Sequence, residues 1–268
     1  MSHGPMSHYT RPAADGAQGD RHLPGRGAGE PRYGLPRLLA GAGLAVLMLL
    51  LGLLAKIGPV ARLELHVDQH IATHDRTSAL TTLARDITTI ATPETIGVGL
   101  MILVPVILLL ARRRLDALKV FCMFAGAFTL AEIGKKLISE HRPPMSLWAM
   151  KADSGASYPS GHATAAAVLA VALIVAAATV TGRSAALVLG GLYAVAVAAS
   201  RVYLGDHYAL DVLGGLLCAL AAAFIVTGLA ALPPLQPHLR RLQIRDGRHR
   251  QTGMMPGSWP APGAVRPR

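Results

Sequence analysis

The sequence predicts an all-α, polytopic membrane protein: a bundle of six transmembrane helices between two tails without regular structure. Three observations carry this expectation. The 268 residues are 52% hydrophobic and only 15% charged, with a mean hydropathy of +0.42, a balance outside that of ordinary soluble domains. The apolar residues gather into runs of about twenty, the length needed to cross a hydrocarbon core of roughly 30 Å. Arginines cluster at alternate ends of those runs, as a chain threading back and forth through a bilayer would place them.

Residues 1–34 hold Pro, Gly, Arg and His without periodicity and are expected to be disordered. The uncharged run 38–55 is the first span. It follows a long polar segment and lacks a small-residue cleavage site, so a retained helix is expected there rather than a cleaved signal peptide. From 59 to 90 the pattern turns amphipathic, with Leu63, Leu65, Ile71, Leu80, Leu83 and Ile87 set among charges, which suits an interfacial helix or helical hairpin. Further spans are expected at 95–111, 117–138, 163–182, 184–200 and 212–232, the last ending at Pro233-Pro234. The membrane domain thus covers 35–232, and 233–268 is a basic tail expected to be disordered.

Six spans place both termini on one side. The tails, Arg112 to Arg114 and Arg183 all fall on that side, so it is the expected cytoplasmic face. Seven arginines of the C-terminal tail (240, 241, 245, 248, 250, 266, 268) account for much of the net charge of +11. No aromatic-basic interleaving or reader motif accompanies them, so a membrane surface and no nucleic acid is the expected partner. The only two cysteines, Cys122 and Cys218, lie inside apolar runs and indicate neither a disulfide framework nor a thiolate metal site.

Three clusters lie at the opposite ends of the spans: Lys135 with Arg142 and Pro143; Pro159-Ser160-Gly161-His162; and Ser200-Arg201 with His207 and Asp211. Lys135 and Arg142 are two helical turns apart and would share a face on a continued helix, which Pro143 is expected to end. Lys136 is assigned instead to a pair with Glu132. Ser160 precedes an apolar helix that it can cap, leaving the N–H groups of Ser160 and Gly161 to face an anion. His207 and Asp211, read as lying on one face of the last span, allow the carboxylate to hold one imidazole nitrogen and leave the other free. Three cations, two histidines and one carboxylate on one side of a membrane fit phosphoryl transfer to and from a lipid.

Lys135-x6-Arg142-Pro143, Pro159-Ser160-Gly161-His162 and Ser200-Arg201-x5-His207-x3-Asp211 together resemble the three-part signature of the type 2 phosphatidic acid phosphatase and vanadium haloperoxidase superfamily. The resemblance implies that His207 is the nucleophile, that Asp211 orients it, and that His162 protonates the departing lipid oxygen. It also implies that Lys135, Arg142, Arg201, the Ser160 hydroxyl and the Gly161 N–H bind the phosphate, with neither metal nor other cofactor. The expected substrate is a lipid monophosphate or diphosphate such as a polyprenyl pyrophosphate, phosphatidate or phosphatidylglycerol phosphate. Within the superfamily the soluble haloperoxidases are the rival, against which the spans argue. A non-catalytic transporter or scaffold would use the same charges to line a polar pathway.

Two further features invite a reading. His66, His70 and His74 repeat at metal-ligand spacing, but in an amphipathic segment a polar face toward water is the favoured account. The loop 139–159, with Met145, Trp148, Met150 and Tyr158, is expected to roof the site and meet lipid.

Overall fold

Apolar runs bounded by capping hydroxyls, glycines and prolines become helices throughout the computed structural model, which describes residues 33–92, 99–152 and 155–242. Among the described residues there is no strand, and eight α-helices follow one another ahead of a short helical segment at 236–242: α1 Gly34–Ala55, α2 Gly58–His70, α3 Ser78–Ile90, α4 Leu100–Leu110, α5 Arg114–Ile138, α6 Gly161–Ala176, α7 Val180–Leu204 and α8 Ala209–Ala230.

Four of these, α1, α5, α7 and α8, are long and apolar enough to cross a membrane. The expected second and fourth spans are shorter, at 11 residues in α4 and 16 in α6. At 1.5 Å per residue they reach about 16 and 24 Å, less than a full hydrocarbon core. Residues 93–98, the start of the expected second span, lie outside the described residues. The fourth was expected to run to 182, but α6 stops at Ala176, and the Thr179 hydroxyl accepts the Gly182 N–H at 2.9 Å to begin α7. Arg183, expected between two spans, therefore stands in the first turn of α7.

Helix α6 is the centre of the bundle. Residues 162 to 168 are all buried, and five of the seven are alanine or threonine, so that α5, α7 and α8 can approach it closely. Val120, Met123, Phe124 and Ala127 of α5, Ala194 and Val197 of α7 and Ala219 and Ala222 of α8 complete this core. Helix α1 lies along α8, where a Cβ on Gly41 would meet the Ile225 backbone at 2.9 Å and one on Gly228 the Leu38 backbone at 2.9 Å. Outward-facing leucines and valines on α1 and α7, such as Leu39, Leu50, Leu187 and Leu192, are more than half exposed, as suits a lipid-facing surface.

The amphipathic stretch 59–90 resolves into α2 and α3, joined by a π-helical turn at Ile71–Asp75. Across that junction His70, the last residue of α2, stacks on His74 with ring centroids 4.7 Å apart, and His70 Nδ1 lies 3.3 Å from Asp75. Among the described residues no three His, Cys, Asp or Glu side chains converge to hold a metal. Both cysteines are free thiols, Cys218 buried and Cys122 half-buried. Of the two tails, 1–32 and 243–268 lie outside the described residues, while 236–242 is helical.

Candidate active site

The three motif clusters converge at one end of the bundle. Arg113 marks the other end, where it donates to the carbonyls of Val175 and Ala176 at the close of α6. At the site end, Lys56 Nζ donates to the Ile138 carbonyl and ties the end of α1 to the end of α5.

His207 is 1% exposed and sits in the turn between α7 and α8, not on α8 as its spacing from Asp211 suggested. The turn is made by Gly205 at φ +79°, where a side chain would collide with the Leu147 carbonyl and with Arg76. Asp211 is the third residue of α8, and its Oδ2 accepts the Tyr208 N–H at 2.8 Å, closing the helix start. The same oxygen receives the Ser157 hydroxyl and lies 3.2 Å from His207 Nδ1. On the other edge of the ring, Arg142 Nη1 points at His207 Nε2 from 3.2 Å. A guanidinium has only donors, so Nε2 is the acceptor and Nδ1 carries the proton toward Asp211. Burial lowers the His207 pKa well below its usual value, and Arg142, Arg201 and His162 lower it further while Asp206 opposes them. The imidazole is therefore neutral at neutral pH.

Arg142 reaches the ring from the segment after α5. That helix ends at Ile138, with Ser139 left-handed at φ +49°, so Lys135 and Arg142 do not share a continued helix. Irregular chain follows, and Arg142 Nη1 also donates to the Asp206 carbonyl at 3.0 Å. Lys135 Nζ lies 3.2 Å from Glu132 Oε1; the expected partner of Glu132 was Lys136, but a spacing of three brings Lys135 to it. Arg201, in the last turn of α7, is fully buried and paired with the Asp206 carboxylate.

Ser160 caps α6 as expected, its hydroxyl accepting from the Ala163 N–H at 3.5 Å. Its own N–H, expected to face an anion, instead donates to the Asp211 carbonyl at 2.9 Å, because the turn docks against the start of α8. Gly161 opens α6 and His162 follows it, 1% exposed and close enough to His207 to influence its charge. Tyr158 was expected at the lipid interface but is fully buried, and its hydroxyl donates to the Met48 carbonyl. Trp148 Nε1 donates to the Pro143 carbonyl at 2.9 Å, and the indole lines a cavity of about 510 Å³ with Ser139, Glu140, His141, Arg142, Gly155 and Ala156. Of its lining residues, Arg142 is the one that also faces His207. Met145 is 76% exposed.

Sequence reasoning missed Ser157, Asp206 and the acidic face of α2. Ser157 belongs to no periodic pattern and only the fold brings it to the histidine, while Asp206 precedes His207 directly but meets both Arg142 and Arg201 only in the folded chain. Glu64 accepts the Leu210 N–H at 2.8 Å, a second cap on α8, and Asp68 one turn on is 1% exposed. Burial pushes both acids up to about 7, reinforced for Glu64 by Asp211 and for Asp68 by Glu64 and Asp211. A carboxyl whose pKa rises on folding favours the folded state while it holds its proton, so this stabilisation is lost as pH rises from about 4.5 through about 7. The unfolding temperature in detergent is expected to fall across that window, and Glu64→Gln or Asp68→Asn to flatten the fall. An unchanged slope in both variants would show that other groups set it.

Residues 116–231 match the model of the PAP2 superfamily, a stretch that includes every residue of the three motifs. Over 135 residues the chain is 31% identical to a protein of Sulfolobus acidocaldarius named undecaprenyl-diphosphatase, covering 48% of this chain and 63% of that one. Over 122 residues it is 33% identical to phosphatidylglycerophosphatase B of Bacillus subtilis, covering 44% and 59%. The matches thus span about three fifths of each relative's length. The crystal structure of a transmembrane PAP2-type phosphatidylglycerolphosphate phosphatase from Bacillus subtilis superposes with a TM-score of 0.63 at 25% identity, covering 70% of this chain and 94% of that one. Motifs, matched stretch and fold thus point the same way, and over the region 116–231 the chain is similar to the PAP2 superfamily.

Proposed function

We propose that the protein is an integral membrane phosphatase that hydrolyses the phosphomonoester or diphosphate of a lipid through a phosphohistidine at His207. The observation that carries this is the polarised imidazole: Nδ1 faces Asp211 at 3.2 Å and Nε2 faces the Arg142 guanidinium at 3.2 Å. The nitrogen that must attack phosphorus thus carries its lone pair and points at a cation that would hold the phosphate.

In the first step Nε2 forms a bond to phosphorus and the bond from phosphorus to the lipid oxygen breaks, with His162 giving its proton to that oxygen. In the second, His162 takes a proton from water, the resulting oxygen attacks phosphorus, and the N–P bond breaks to release phosphate and neutral His207. Arg142, Arg201 and Lys135, with the Ser160 hydroxyl and the Gly161 N–H, would hold the non-bridging oxygens. These cations supply the charge that metal ions provide at other phosphoryl-transfer sites.

The shorter α4 and α6 are read as the remaining two of six spans. The arginines at 112–114, 183, 240 and 241 lie at the end away from the site, which supports a plasma-membrane orientation with the termini cytoplasmic and the site facing outward. The relatives' names point to polyprenyl diphosphate and phosphatidylglycerol phosphate as first substrates, with phosphatidate a third. Purified protein in detergent is expected to release phosphate from at least one lipid of such a panel with a chelator present. Release that depends strictly on an added divalent metal would count against the mechanism.

A further inference from the structure

Asp206 stands beside the nucleophile, is 2% exposed, and belongs to none of the three motif positions. Its Oδ2 is paired with Arg201 Nη2 and lies 3.6 Å from Arg142 Nη1. Its backbone carbonyl accepts from the same Arg142 nitrogen, which also faces His207 Nε2. One carboxylate therefore serves two guanidiniums that arrive from different elements, the segment after α5 and the last turn of α7. Those are the cations assigned above to the phosphate.

We propose that Asp206 is the resident counter-ion of this pair: it positions Arg142 and Arg201 in the empty site and, by staying there, keeps the site from holding phosphate too tightly. The inference rests on the phosphatase reading and deepens it. Without Asp206 two formal positive charges would face a phosphate dianion, and with it the pair carries a net charge of one. The carboxylate is covalently fixed next to His207, so substrate and product alike must share the guanidiniums with it. A site that must release inorganic phosphate at every turnover benefits from that sharing, because interactions equally strong for product and transition state do not speed turnover. Its charge also reaches the imidazole, opposing the two arginines.

The test is inhibition by inorganic phosphate and by orthovanadate, in wild type, Asp206→Asn and Asp206→Glu. A merely structural residue would weaken anion binding when replaced. A counter-ion should do the reverse. Asp206→Asn is expected to be inhibited at about tenfold lower phosphate, the scale of one charge-assisted contact, with KM and kcat both reduced, while Asp206→Glu stays near wild type. Thermal stabilisation by phosphate, read on the same samples, should follow the same order and does not require turnover. Unchanged or weaker inhibition in the asparagine variant overturns the proposal. So does an asparagine variant that cannot be isolated folded while Asp206→Glu can, since the carboxylate would then be structural. Wild type that hydrolyses lipid phosphates without tightened binding in Asp206→Asn rejects only the role of Asp206; wild type that neither hydrolyses them nor is stabilised by phosphate rejects the phosphatase reading itself.

Discussion

His207→Ala is expected to lower phosphate release by at least about 10⁴-fold and to leave the folded protein intact. The magnitude follows from removing the nucleophile of a double displacement, where what remains is the binding and charge stabilisation of the surrounding cations. Folding should survive because the ring makes few contacts of its own: Asp211 keeps the Tyr208 N–H and the Ser157 hydroxyl, and Arg142 keeps the Asp206 carbonyl. Acid-labile phosphorylation trapped from wild type by rapid quenching should vanish in the variant. Turnover within tenfold of wild type, by protein free of contaminating phosphatase, would rule out a phosphohistidine at this position.

Asp211→Asn should cost kcat on the order of 10³- to 10⁴-fold, through a different route. Asp211 Oδ2 is the meeting point of the Ser157 hydroxyl, the Tyr208 N–H and the Nδ1 edge of His207. An amide has one acceptor oxygen and one donor nitrogen. With its oxygen kept by Tyr208 and Ser157, it has only an N–H left for the ring, which moves the imidazole proton to Nε2 and removes the attacking lone pair. KM should change much less than kcat, since the cations that hold phosphate are untouched. A loss expressed mainly in KM, or a variant with altered elution in detergent, would show that Asp211 acts through the start of α8 rather than through the imidazole. Ser157→Ala offers a milder comparison, because it removes one donor to Asp211 without changing its charge.

Much of the candidate site was legible in the sequence. His207, Asp211, Arg142 and Arg201 stand at fixed spacings next to apolar runs, and fixed spacing near a helix end fixes approximate direction. Ser160 read correctly as a cap because capping depends on the residue and the three that follow it. The errors fall where local rules meet neighbours. The Ser160 N–H looked available until the start of α8 placed the Asp211 carbonyl 2.9 Å away. Tyr158 looked interfacial by residue type, yet the approach of α1 buried it and gave its hydroxyl the Met48 carbonyl. The run 163–182 looked continuous because alanine carries no signal for a break, whereas Thr179 could begin a new helix.

By itself the sequence determined the helical class, the apolar segments that become the bundle, and the candidate residues for binding and attacking a phosphate. These follow from hydrophobic length, from capping chemistry and from proton and charge inventories, all of which are local. Only the tertiary structure decided how the charges are shared: that Arg142 rather than solvent meets His207 Nε2, that Asp206 stands between two arginines, and that Glu64 and Asp68 are buried against the start of α8. Such relations join residues up to 146 positions apart in the chain. No periodicity encodes them, because they depend on which surfaces pack and on how little water is left between them.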